Sequence, residues 1–223
     1  MGKEQNREEI LQIVASMSEL IKMAKVGIEI IKESQQEVYK LIAAILDVRK
    51  AGKKVVGIAE GRSALLALWP FLMRLVHMDI SAYISGQVGF TTPSIKEGDL
   101  IIVVSGSGAT DTNVARCKTL RKEKIPGVKI ILMTYDTTSI LAREYADIVI
   151  CLPEKNAIIK RRKQLPKNYF RSQLVEAAPL GSFFEIITAI FLDAVIVRLM
   201  KITGVTEEMM RNTHIKDKAQ TKH

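Results

Sequence analysis

"DLIIVVSGSGAT", residues 99–110, runs from Leu100 to Val104 without a polar break. It then changes abruptly to Ser105, Gly106, Ser107, Gly108, Ala109 and Thr110. An unbroken aliphatic run suits a strand covered on both faces, as in a parallel sheet. The hydroxyls and glycines mark where that strand ends, and a helical pattern starts at Thr110. In open α/β sheets, ligands sit beyond the carboxyl ends of the strands. A polar turn between a buried strand and a helix is therefore the first place to look for a site.

The same rhythm recurs along the chain. "KKVVGIA" (53–59), "SAYIS" (81–85), "VKIILMT" (128–134) and "ADIVICL" (146–152) are short aliphatic runs bounded by polar or glycine breakers. Helical patterns fill the gaps at 63–78, 110–123 and 138–145. Strands alternating with helices predict a doubly wound α/β fold with helices on both faces of a parallel sheet.

Before the first strand, Ile10, Ile13, Val14, Met17, Ile21 and Ala24 recur at helical spacing, and Val38, Leu41, Ile42, Ile45 and Leu46 repeat it over 36–50. Ala51-Gly52 ends that run. Such stripes serve either the chain's own core or a subunit contact. From 153 to 178 the periodicity lapses and a long loop is predicted. A helix follows over 180–202, stopping near Gly204, and a short one starts at a Thr206 cap. No internal repeat or linker is visible. The expectation is one domain over 1–223, with an N-terminal helix at 1–34 as a candidate oligomer contact, a core at 35–215 and a frayed tail at 216–223.

Composition narrows the function classes. Of 223 residues, 48% are hydrophobic and 26% charged, which suits a globular protein. No apolar run reaches the roughly 18 residues of a membrane span. "FFEIITAIFLDAVIV" carries Glu185 and Asp193 inside it, and the charged N-terminus has no signal region behind it. No membrane association and a cytoplasmic location are expected. The net charge of +9 raises nucleic acid or an anionic substrate as partners. The one dense basic cluster is "KRRK" at 160–163, and aromatics are only 5%, so a stacking platform for nucleic acid is lacking. Nucleic acid ranks last. Cys117 and Cys151 read as small buried residues, and no metal-ligand spacing occurs, so no metal is expected.

The hydroxyls of Ser105, Ser107 and Thr110, the close backbone approach allowed by Gly106, and the free N–H groups of a helix start together form an anion cradle. No Gly-Lys-Ser/Thr follows, so it is not the ATP loop, and G-x-G-x-x-G is incomplete. A small phosphate monoester fits, with an ordinary helix-capping turn as the alternative. A second strand end, "GIAEGRSALL" (57–66), puts Gly61, Arg62 and Ser63 directly before a helix. Arginine at a helix start opposes the dipole, which favours a role against an anion or carboxylate.

"SGSGAT" resembles the S-x-S-G-E-T motif of the SIS (sugar isomerase) domain family. "EGRS", "MRLVH", "SGSG", "APLGSFFE" and a late histidine follow the order of one branch, the 6-phospho-3-hexuloisomerases, over about residues 35–215. The resemblance implies a three-layer αβα sandwich with a five-stranded parallel sheet and a homotetramer. It also implies cofactor-free interconversion of 3-hexulose 6-phosphate and fructose 6-phosphate. Carried over by residue, Ser105, Ser107 and Thr110 are phosphate-loop positions, and Arg62 and Ser63 match the family's "GRS". Glu185 matches the glutamate of "PLG-x-x-FE", His77 closes "RL-x-H", and His214 falls at a position often histidine. The turn here reads Ala59-Glu60-Gly61 where the family usually has Gly-Ala/Ser-Gly, and Ala109 replaces a customary glutamate. A carboxylate at 60 repels a phosphate unless it points away.

Moving a carbonyl from C3 to C2 passes through an enediol and needs an acid–base pair. Glu185, in an apolar helix, is the base candidate. His77 or His214 would shuttle oxygen protons, one of them from a neighbouring subunit in a tetramer. Asp193, eight residues after Glu185, is assigned a structural role. Two alternatives remain: a non-catalytic SIS sugar-phosphate sensor, and another aldose–ketose phosphate isomerase.

Overall fold

The computed structural model describes residues 3–86, 92–154 and 182–213. The predicted 153–178 loop, the basic cluster 160–163, His214 and the tail from 216 lie largely or wholly outside the described residues. All five predicted strands form. They are β1 (Val55–Ala59), β2 (Ala82–Ser85), β3 (Leu100–Val104), β4 (Lys129–Thr134) and β5 (Ile148–Cys151). Every neighbouring pair is parallel, in the order β2-β1-β3-β4-β5. The direction of winding reverses between β1 and β3. That boundary is where a doubly wound sheet opens a crevice at its carboxyl edge.

Helices cover both faces. The described helices are α1 (Lys3–Ile31), α2 (Gln35–Lys50), α3 (Trp69–His77), α4 (Asp111–Glu123), α5 (Phe183–Thr203) and α6 (Glu207–Asn212). A π-helical segment, Ser63–Leu68, leads into α3, and a second, Leu141–Tyr145, stands between β4 and β5. Side chains alternate across a strand, so each strand feeds two cores. Val55, Ala59, Leu100, Ile102, Val104, Ile131 and Met133 pack under α2, α3 and α5. Val56, Ile58, Ile101, Val103, Ile130 and Leu132 pack under α4 and the second π-helical segment. This is why the strands read as continuous aliphatic runs. The Thr206 cap forms as expected, its hydroxyl accepting from Met209 N–H at 3.2 Å.

Helix α1 splits its apolar stripe. Met23 and Ile30 pack with Phe183 and Ile187. Ile10, Ile13, Val14, Met17 and Ile21 stay more than half exposed. Cys117 is buried under the sheet, and burial pushes its thiol up to about 11. Cys151 departs from expectation: it is only half-buried, because it ends the edge strand β5. Among the described residues no helix is long and apolar enough to cross a membrane.

At the amino edge of the sheet, Asp99 staples β1 to β3. Its carboxylate accepts from Lys96 N–H at 2.7 Å and Lys54 N–H at 3.1 Å, and it pairs with the Lys54 ammonium. Burial pushes its carboxyl up, but the hydrogen bonds from Lys54 and Lys96 outweigh this and hold it below the usual value. A lowered folded-state pKa adds stability above the unfolded value, and that stability is lost as pH falls through the folded value. Asp99→Ala should therefore cost about 3 kcal/mol in urea unfolding at pH 7, because it leaves the nearly buried Lys54 ammonium unpaired. The gap to wild type should narrow below about pH 4. A gap that does not change with pH would show the staple to be electrostatically idle.

Candidate functional site

Three helical starts converge on the carboxyl edge: the segment at Ser63 after β1, α4 after β3, and α5, which packs against the β3 loop. The 105–110 loop is held from beneath. Thr134 Oγ1 donates to Gly106 O at 2.7 Å, Tyr135 N–H donates to the same oxygen at 3.1 Å, and Gly108 N–H donates to Ser105 O at 3.1 Å. Leu141 N–H donates to Gly108 O at 3.1 Å, tying the loop to the second π-helical segment.

Two glycines are required by this packing. A Cβ at Gly106 would sit 2.9 Å from the Tyr135 ring and 3.2 Å from that of Phe184. Gly108 has φ +61°, and a Cβ there would collide with Ser139, whose own Cβ would lie at 2.6 Å. The small residues of the loop thus answer to the neighbours pressed against it as well as to a ligand.

Thr110 is the N-cap of α4, but its side chain makes no capping bond; its hydroxyl lies 3.3 Å from that of Ser105. Val114 N–H, donating to Thr110 O at 3.0 Å, is the first α4 donor with a partner in the helix. The N–H groups before it stand at the positive end of the helix dipole. Ser105 is buried and Ser107 exposed, so one hydroxyl shapes the floor and the other faces solvent. This arrangement can take an anion with two or three acceptor oxygens.

Beside this cradle stands Glu185, in the first turn of α5. The residue is 8% exposed, and its Oε1 lies 3.7 Å from Arg62 Nη2. Its Oε2 is buried and has no hydrogen-bond partner among the described residues. Phe184, the residue before it, stacks edge-on against Tyr135 at a centroid distance of 5.7 Å. Through that contact α5 is braced against the loop, because Tyr135 also covers Gly106. Arg62 and Glu185, 123 positions apart in the chain, are thus brought together, and Ser63 is buried beside them.

His77 is not brought to this place within one chain. It is the last residue of α3, and the helix after β1 runs back against the strand direction, so its end reaches the amino edge. Counted along the helix axis, it is roughly 20 Å from Ser63. Asp193 pairs with Arg74 at 2.8 Å on the surface of α3 and α5, away from Glu185. His214 lies outside the described residues. Glu60 pairs with Arg116 Nη1 at 2.7 Å, so the carboxylate at that turn is engaged.

One residue escaped the sequence reading. Tyr135 follows β4, and its hydroxyl is held above the usual range by burial and then by the charges of Glu154, Asp136 and Glu185. It stays protonated across the neutral range and lies within the field of the carboxylates at this edge. The carboxyl-end rule applied to β4 would have pointed to it.

No protein-family profile matches the chain. It is 39% identical over 164 residues to the 3-hexulose-6-phosphate isomerase of Methylomonas aminofaciens, covering 74% of this chain and 80% of that one. The chain belongs to the SIS-fold sugar-phosphate isomerase family. A second SIS relative, the 3-hexulose-6-phosphate isomerase of Bacillus subtilis, is 34% identical over 154 residues, covering 69% of this chain and 74% of that one. Among solved structures, a Methanococcus jannaschii protein with an inferred function of 3-hexulose-6-phosphate isomerase superposes with a TM-score of 0.66 at 27% identity. That match covers 87% of this chain and 96% of the other. The five-stranded parallel sheet between two helical layers is the SIS fold.

Proposed function

We propose that this SIS protein interconverts 3-hexulose 6-phosphate and fructose 6-phosphate. The observation that carries the reading is Glu185: a buried carboxylate with one oxygen unpartnered among the described residues, set beside Arg62 and braced against the serine loop. A phosphate sensor needs the cradle alone, and a half-engaged buried carboxylate next to it would be a pure cost.

In this mechanism Ser105, Ser107, Thr110 and the Gly106 backbone hold the phosphate. Ser63 and Arg62 line the sugar side, and Arg62 holds Glu185 in place. Glu185 removes the C2 proton of the 3-ketose, giving a 2,3-enediol, and returns a proton to C3. The O2 proton leaves and O3 gains one, so the carbonyl ends at C2 with no net oxidation and no call for a cofactor. His77 or His214 carries the oxygen protons. His77, at the far edge of its own sheet, does so across a subunit boundary. A tetramer fits this, and the exposed apolar half of α1 is the surface a second copy would cover.

The test is isotope exchange. Fructose 6-phosphate incubated with the protein in D₂O should gain deuterium at C3 and show a new 3-ketose signal by NMR. Exchange at C1 alone would assign an aldose–ketose isomerase instead. Binding without exchange would make the protein a sensor.

A further inference from the structure

Among the carboxylates described at the carboxyl edge, Glu60 stands on the strand next to the serine loop, where its charge works against an anion site. Ala59 of β1 pairs in register with Val104 of β3, so Glu60 and Ser105 are the next residues on adjacent strands. Adjacent strands are about 5 Å apart. Alternation along β1 puts Val56 and Ile58 on the α4 side, and the Glu60 side chain follows them there, as its contact with α4 shows. Ser105 and Thr110, whose hydroxyls lie 3.3 Å apart, stand at the start of the same helix. A carboxylate has thus been placed beside the floor of the cradle.

Arg116 meets it. Its Nη1 donates to Glu60 Oε1 at 2.7 Å and to Ser85 O at 3.4 Å, which ties the guanidinium to the ends of both β1 and β2. A side chain at Gly86 would collide with this guanidinium, so the arginine lies flat over the chain there. The pair is too exposed, at 28% and 36% for the two side chains, to add much to stability. Its effect is on the field at the loop.

We propose that Arg116 is a positioning residue for phosphate binding. It holds Glu60 on the α4 side and cancels its charge, so that the 105–110 loop accepts a dianion. The inference rests on the proposed role of that loop. It assigns Arg116 an action through Glu60 and no contact with substrate.

The test is binding of fructose 6-phosphate, and of inorganic phosphate as a minimal probe, by titration calorimetry at low ionic strength. The full-length chain is used throughout. Arg116→Gln should weaken affinity about tenfold, since an unpaired carboxylate then stands at the end of the strand next to the loop that would hold the dianion. Glu60→Gln should tighten it severalfold, because the arginine's charge becomes uncompensated. The double variant should return to within about twofold of wild type, and Arg116→Lys should keep most of the affinity. Half-molar salt should shrink the Arg116→Gln loss. A merely structural role predicts neither the tightening nor the rescue. A double variant as weak as Arg116→Gln would overturn the proposal, because Arg116 would then act on the phosphate directly. Unchanged affinity in Arg116→Gln would also overturn it while leaving the loop reading intact. A wild-type protein that binds neither probe would remove the loop reading and this inference together.

Discussion

Glu185→Gln should bind fructose 6-phosphate about as tightly as wild type and lose turnover by about 10³- to 10⁴-fold. Glutamine keeps the shape and a polar edge toward Arg62, but it has no oxygen basic enough to take a carbon-bound proton. The unpartnered Oε2 is the atom the mechanism uses. Burying a polar oxygen without a partner costs stability, so replacing the carboxylate by an amide should leave the melting temperature unchanged or raise it. That pairing of a lost rate with an unharmed fold separates catalysis from collapse. Stopped-flow or NMR turnover beside a thermal melt reads both. A variant retaining more than a tenth of the rate would mean that another group takes the C2 proton.

The second large effect belongs to the floor of the loop. Gly108→Ala should cost about 2–4 kcal/mol, the sum of a left-handed backbone forced on a residue with a Cβ and an overpacked contact with buried Ser139. For a chain of this size that is a fall of about 5–12 °C in the melting temperature. Sugar-phosphate affinity should drop at least tenfold, because the loop can relieve the clash only by moving off Ser139 and the α4 start. Gly52→Ala is the matched control: its φ is +63°, but nothing lies within 4 Å of the added Cβ. It should cost about 1 kcal/mol and leave binding alone. Equal losses in the two variants would show that backbone strain, and not the Ser139 contact, makes Gly108 necessary.

Much of the fold was legible because burial on two faces writes itself into each strand as an unbroken aliphatic run. Leu100–Val104 could be recognised that way before any neighbour was known, and so could the turn that ends it. The serine loop was equally legible, since a strand end, glycines and a helix start are local features. The Arg62–Glu185 pair was legible only as two separate suspicions, because a contact across 123 positions has no spacing that sequence can display. Tyr135 carried no signal beyond its place after β4, for a tyrosine at a strand end is ordinary until Phe184 and Gly106 are packed against it. Glu60 read as an obstacle to phosphate, since the arginine it pairs with, Arg116, is 56 positions away on another element. His77 entered the site as a match to the family's "RL-x-H", and no sequence pattern could show that, within one chain, a helix running back after a parallel strand carries it to the opposite edge.

Sequence alone therefore determined the alternation of strands and helices, the parallel sheet and the serine-glycine turn between β3 and α4, because each depends on side-chain character within a few residues. The tertiary structure decided which side of the sheet each charge occupies and which carboxylate is held by an arginine and which is left half-engaged. It also decided which glycines are fixed by neighbours. Those follow from strand order and register, which set distances between residues that the chain itself keeps far apart.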